Sequence, residues 1–305
     1  MNEKKLKNMA ASVKSRLLYL SRKSDKPFQE LLIHYGLERF LYRLSRSPFQ
    51  DKFILKGGLL LAGMGISQAR TTRDIDFLGL ISADSRIVAA HIKQIGEVIS
   101  NDGLSYDFTD LNTEAMADDS EYPGIRLKFS AWLGKARFPM QIDVGFGDVM
   151  ISEAKEMTYP TLLDMEAPIV LVYSLETIVA EKYEASLHLA DVNSRMKDFY
   201  DLWILSRKYH FQGLTLQEAI KATCKQRNTL VNAEAEIFSY RFAGRPDKQS
   251  QWLTFLRKSH LSDSPEAFTA IMADIGSFLC PVASAIEKGI RFRNVWPPGG
   301  PWRLS

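Results

Sequence analysis

Cysteine is almost missing from this chain: Cys224 and Cys280 are the only two in 305 residues. A disulfide framework is thereby excluded as the source of stability, and a reducing compartment fits. Neither cysteine sits in a Cys/His spacing that holds zinc, so both read as small core residues. The five histidines, His34, His91, His188, His210 and His260, form no ligand pattern either. No run approaches the roughly 18 uninterrupted apolar residues of a membrane helix. The basic N-terminus lacks the apolar segment of a signal peptide. No membrane partner and a cytoplasmic location are therefore expected. Repeats and low-complexity segments are also lacking. Net charge is only +3, too small to imply a nucleic-acid partner by itself.

What is present is the composition of a soluble globular protein, long enough to bury a full core. Charge is uneven: residues 1–26 hold eight Lys/Arg against Glu3 and Asp25. Such a cluster suits either a phosphate-facing surface or a solvated helix face. Residues 3–22 and 26–46 carry helical periodicity, with Leu37, Phe40, Leu41 and Leu44 on one face and Gly36 as a point where the helix bends or divides. Phe53-Ile54-Leu55 predicts a buried strand running into Lys56-Gly57-Gly58, followed by a short helix. Strands are expected at 75–80, 124–133 and 138–146, and a helix over 84–100. From Ser174 onward the pattern is helical, at 174–190, 197–208, 214–227, 248–258 and 264–279, before an irregular Pro/Gly-rich tail. Helices, then strands with helices, then helices again predict an α+β fold. The boundaries divide it into an N-terminal helical arm (1–50), a mixed-sheet core (51–172) and a C-terminal helical domain (173–305).

The chemistry concentrates on two strands. Side chains alternate across a strand, so Asp74 and Asp76 share one face while Ile75 and Phe77 share the other. Two carboxylates on one face repel unless a cation lies between them, and a divalent metal with oxygen ligands meets that need. Along Gln141-Ile142-Asp143-Val144-Gly145-Phe146 the apolar residues take one face and leave Asp143 on the other, beside Gly145. If this strand pairs with the first, three carboxylates converge, enough for two magnesium ions. The Gly57-Gly58 turn presents backbone N–H groups without a side chain in the way, as close approach of an anionic oxygen requires. An isolated Asp-x-Asp or Gly-Gly is usually structural; the ordered combination is what points to a site.

A second polar group lies on the C-terminal helices. Lys182 falls within the stripe Leu175, Ile178, Val179, Ser186, Leu189, and a core-facing lysine must find a partner or a ligand. On the next helix Asp198 and Asp201 lie on the same side as Leu202, Leu205 and Tyr209. Lys182, Arg195 and Lys197 are the candidate partners of these acids. An interhelical ion-pair network and direct contact with substrate are both open readings.

Taken together, Phe53-Ile-Leu-Lys-Gly-Gly58, Arg70-Thr-Thr-Arg-Asp-Ile-Asp-Phe77 and Arg195-Met-Lys-Asp-Phe-Tyr-Asp-Leu202 resemble the DNA polymerase beta-like nucleotidyltransferases. More narrowly, they resemble the AbiEii/AbiGii toxin family, and Leu37-Glu-Arg-Phe-Leu-Tyr-Arg-Leu44 looks like the arm of these proteins. The resemblance covers roughly residues 10–210. It implies a nucleotidyltransferase-like mixed sheet flanked by helices, with Asp74, Asp76 and Asp143 holding two Mg2+ ions, or Mn2+. It also implies a nucleotide-binding set of Gly57, Gly58, Arg70, Lys182, Asp198 and Asp201, supported by Arg195 and Lys197. Lys182 matches a family lysine near the triphosphate. One departure is Leu59, where many members have a small polar residue; phosphate contacts then fall to the backbone and to Ser67 or Arg70.

The implied reaction is attack of an acceptor hydroxyl on the α-phosphate of an NTP, with Asp143 the best-placed carboxylate to take the proton. The implied setting is the toxin of a bacterial toxin–antitoxin or abortive-infection system in phage defence, with a cognate antitoxin and a tRNA 3′ end as acceptor. Two rivals stand beside it. A metal-dependent ribonuclease could use the same acids but has no need of a triphosphate cradle. A non-catalytic nucleotide-binding regulator would not need all three acids.

Overall fold

The computed structural model describes residues 3–24, 26–66, 72–116, 124–261 and 264–304. The chain divides into two compact units, residues 1–147 with 154–172, and residues 148–153 with 173–305.

The first unit is built on a seven-stranded sheet. Its strands are β1 (Phe53–Lys56), β2 (Ile75–Gly79), β3 (Leu104–Met116), β4 (Gly124–Leu133), β5 (Ala136–Gly145), β6 (Lys155–Thr158) and β7 (Ile169–Val172). They lie in the order β3-β4-β5-β2-β1-β7-β6. β2 runs parallel to β5 and β1 parallel to β7, and the other neighbouring pairs are antiparallel, so the sheet is mixed. Among the described residues four helices accompany it: α1 (Glu3–Ser24), α2 (Phe28–Ser45), α3 (Gly57–Gly63) and α4 (Ser85–Gly96).

Helix α2 passes through Gly36 without a break. The glycine serves close packing instead: a Cβ there would stand 2.5 Å from the Phe138 ring and 3.1 Å from the Met140 sulfur on β5. The expected bend is therefore corrected to a contact point between helix and sheet. Around it the helix carries polar groups inward. Arg43 holds both carboxylate oxygens of Asp102 at 2.6 and 3.1 Å, and Tyr106 donates to the Gly36 carbonyl. Arg39, Arg43 and Asp102 are all nearly fully buried, so each requires the others.

Strand β3 has no counterpart in the sequence reading. It is an edge strand whose first half alternates Leu104, Tyr106 and Phe108 with polar residues, a signal the sequence reading passed over; beyond an irregularity between Asp107 and Asn112 its residues are mostly exposed and the alternation is lost. β6 and β7 are only four residues each and escape notice for their length.

The second unit is helical: α5 (Leu175–Leu189), α6 (Met196–Lys208), α7 (Gly213–Gln226), α8 (Tyr240–Ala243), α9 (Pro246–Lys258) and α10 (Phe268–Glu287). Its core is aromatic, with Phe199, Phe211, Phe242, Trp252, Phe268 and Phe278 buried. α10 runs past Pro281 to Glu287, beyond its expected end, because Val282, Ala283 and Ala285 are still buried against the core. By length and composition α10 is apolar enough to cross a membrane. Its larger apolar side chains, Phe268, Ile271, Met272, Ile275, Phe278 and Leu279, are buried within the unit, and Ala270 and Ala273 are exposed. The tail is not wholly irregular. β8 (Phe211–Gln212) pairs with β9 (Val295–Trp296), and Trp302 stacks on Phe278 with centroids 5.8 Å apart.

Candidate active site

The carboxylates come together because β2 and β5 are neighbours. Asp76 lies opposite Asp143 in the parallel register. Ile75, Phe77, Ile142 and Val144 are buried on the far face, so the alternation that hides them turns the acids the other way. Asp74 stands just before β2, and Thr72, itself buried, donates to its Oδ1 at 2.9 Å. Ligand oxygens of Asp74, Asp76 and Asp143 all lie within 4.8 Å of one another.

The register extends the row. On β1, Lys56 faces Asp76; on β4, Arg126 faces Asp143. Across four neighbouring strands the order is thus Lys56, Asp76, Asp143, Arg126: two acids between two bases. Arg126 grips Asp143 with both arms, Nε to Oδ1 at 2.8 Å and Nη2 to Oδ2 at 2.6 Å. Gln141 Nε2 lies 3.3 Å from each of the same oxygens. The hydrogen bond to Asp143 raises the Arg126 guanidinium above its ordinary value, keeping it charged. Sequence reasoning missed Arg126, Gln141 and Thr72. A signal for Arg126 existed: the tight turn at Gly134-Lys135 sets the β4–β5 register and so places Arg126 beside Asp143.

Beside this row, Gly57 adopts φ +68°, and a Cβ on it would stand 1.9 Å from Asp76 Oδ2. Only glycine allows both the left-handed turn and the carboxylate against it. Leu59, the departure from the family pattern, is fully buried and belongs to the core. Arg70 and Ser67 lie outside the described residues; Arg73 is exposed.

In the second unit Lys182 reaches both acids of the next helix, Asp198 at 2.6 Å and Asp201 at 2.9 Å. Burial would push the Lys182 ammonium down, but the two carboxylates hold it well above the usual lysine value. For Asp198 burial acts upward and Lys182 more than offsets it, so its carboxyl sits low. Arg195 and Lys197 are exposed, and their charges also help hold the Asp198 carboxyl low. The start of α6 is fixed by Asn193, whose side chain accepts from the Arg195 N–H at 2.8 Å and whose carbonyl accepts from buried Lys248 at 2.7 Å.

The donor set in the first unit suits a hard divalent cation. Three carboxylates offer only oxygens, and their spread accommodates octahedral magnesium, whose bonds are about 2.1 Å, or a pair of ions about 4 Å apart. Carboxylates on adjacent strands next to a side-chain-free turn form a group that could hold a metal ion. The chain belongs to the family "Nucleotidyl transferase AbiEii toxin, Type IV TA system", whose model matches residues 39–274. It is a nucleotidyltransferase of that toxin–antitoxin family. Two crystal structures from Helicobacter pylori are similar in fold. One, described as a candidate nucleotidyltransferase, is 18% identical with a TM-score of 0.49, covering 86% of this chain and 98% of its own. The other, JHP933, is 18% identical with a TM-score of 0.48, covering 85% and 94%. No curated protein matches the chain.

Proposed function

We propose that the protein transfers a nucleoside monophosphate from an NTP to the 3′ hydroxyl of an RNA, tRNA being the favoured acceptor, and so acts as a cytoplasmic growth-arresting toxin held in check by a cognate antitoxin. The observation that carries this reading is the meeting of Asp74, Asp76 and Asp143 within 4.8 Å beside the Gly57 turn. These three residues would hold Mg2+, with Mn2+ as a substitute. Bound there, the metal would lower the pKa of the acceptor hydroxyl and offset charge on the departing pyrophosphate. The acceptor oxygen forms a bond to the α-phosphorus, and the bond from that phosphorus to pyrophosphate breaks.

The chain's own residues divide the remaining work. The Gly57-Gly58 backbone gives the phosphates close approach, and Arg70 offers a fork for phosphate oxygens. For Lys182 we assign a role on the β/γ-phosphates, with Asp198 and Asp201 keeping it charged and oriented and Arg195 and Lys197 supporting them. Asp143 is the best-placed carboxylate to help take the proton of the acceptor hydroxyl; Arg126 and Gln141 lie on its oxygens. The eight basic residues in positions 1–26 suit an RNA acceptor. The test is incubation with α-labelled NTP and total tRNA: label on full-length RNA supports transfer, whereas shortened, unlabelled RNA would establish a nuclease. Equal growth inhibition by wild type and Asp76→Ala would instead establish a non-catalytic regulator.

A further inference from the structure

Asp143 is already fully engaged. An ionised carboxylate has about four lone-pair positions. Arg126 takes one on each oxygen at 2.8 and 2.6 Å, and Gln141 Nε2 reaches both at 3.3 Å. A cation entering the triad at Asp143 must therefore displace something. Gln141 is neutral and its contacts are long; Arg126 is charged, bidentate and short, so it is the competitor that matters.

The surroundings show why such a competitor is useful. Three carboxylates within 4.8 Å repel one another. Arg126 is attracted by Asp143, Asp74 and Glu114, and so supplies positive charge to the cluster from its β4 side. Its side chain is 37% exposed against 9% for Asp143. The guanidinium can swing into solvent at small cost, while the carboxylate stays in place on its strand.

We infer that Arg126 is a resident counterion of the acidic triad, which a divalent metal displaces from Asp143, so that Arg126 sets the metal affinity of the site instead of helping to hold the metal. Binding is an exchange of one cation for another. The inference rests on the reading of Asp74, Asp76 and Asp143 as the metal site. It makes Arg126 a positioning residue: without metal it keeps Asp143 aimed and its charge balanced, and with metal it is released. Lysine at this position would keep the charge but lose the fork, and so compete less well.

The test is Mn2+ titration by calorimetry, in parallel with thermal melting in EDTA and in Mn2+, for full-length wild type, Arg126→Gln, Arg126→Lys and Asp76→Asn. Arg126→Gln should bind Mn2+ about tenfold more tightly than wild type, the factor expected for losing a charge-assisted hydrogen-bonded competitor. Arg126→Lys should fall between them. In EDTA, Arg126→Gln should melt below wild type, and Mn2+ should raise its melting temperature by more than it raises that of wild type. If Arg126→Gln proves too unstable to titrate, the Arg126→Lys comparison alone carries the expectation. Mn2+ binding by the Arg126 variants that is equal to or weaker than wild type, with Asp76→Asn weakened, would overturn the exchange and leave the metal site standing. Equal Mn2+ affinity in wild type and Asp76→Asn would overturn both.

Discussion

Replacing Lys182 with methionine isolates what the buried ion triplet contributes. The substitution keeps the length of the side chain and removes its charge. Asp198 and Asp201, at 2.6 and 2.9 Å from the ammonium, lose their shared partner. Their side chains are 10% and 0% exposed, so water cannot replace it. Breaking a buried pair costs about 3–5 kcal/mol; with Lys182 15% exposed, the lower figure of about 3 kcal/mol applies. For a unit of this size that lowers the melting temperature by roughly 10 °C. The loss should shrink at acid pH, where the stranded carboxylates take up protons, and Lys182→Met combined with Asp198→Asn and Asp201→Asn should regain much of it. Thermal melts at pH 5 and pH 8 read both effects. Melting within about 2 °C of wild type at pH 8 would refute the reasoning, since a fall of that size is below the smallest pair contribution considered. NTP use by the triple variant then separates the two roles of Lys182. Recovered stability with recovered activity means the lysine only orders the helices; recovered stability without activity means it touches the phosphates.

Gly57→Ala should abolish nucleotidyl transfer by at least 100-fold, on the order of losing a catalytic electrostatic group, because its methyl would overlap Asp76 Oδ2 at 1.9 Å; an active alanine variant would contradict the tight turn. Glu38, fully buried, has its carboxyl pushed up to about 7 by burial, against a backbone hydrogen bond from Leu162 and the nearby Arg39. The folded state thus keeps a proton that the unfolded chain releases, so this group's contribution is complete below about pH 4.5 and disappears as pH rises through 7, a change of about 3 kcal/mol. His34 opposes it: burial, with Lys26, lowers its pKa to about 4, so its contribution is present above pH 6.5 and lost as pH falls toward 4. Urea midpoints at pH 5 and 8 should therefore differ in opposite directions for Glu38→Gln and His34→Gln relative to wild type, and parallel shifts would refute both assignments.

The parts of the fold that were legible in the sequence are those where one physical requirement dominates. Alternation along Asp74–Phe77 and Gln141–Phe146 separated acids from core, and the β2–β5 register does bring Asp76 opposite Asp143. A lysine in an apolar stripe demanded partners, and Asp198 and Asp201 are those partners. What was not legible depends on neighbours remote in sequence. Gly36 reads as a helix breaker until Phe138 is packed against it. The second half of β3, from Asn112 to Met116, is mostly exposed and is held by pairing with β4, whereas its first half packs Tyr106 and Phe108 against Phe129. Arg126 looks like a solvent-facing strand residue until the hairpin register sets it against Asp143.

The most direct measurement is anomalous diffraction from crystals grown with Mn2+ and a non-hydrolysable NTP analogue. The expected result is a metal peak about 2.1 Å from oxygens of Asp74 and Asp76, shared with Asp143, and phosphate density against the Gly57-Gly58 backbone. A triphosphate bound elsewhere, or Mn2+ absent from these three carboxylates, would contradict the assignment of the active site.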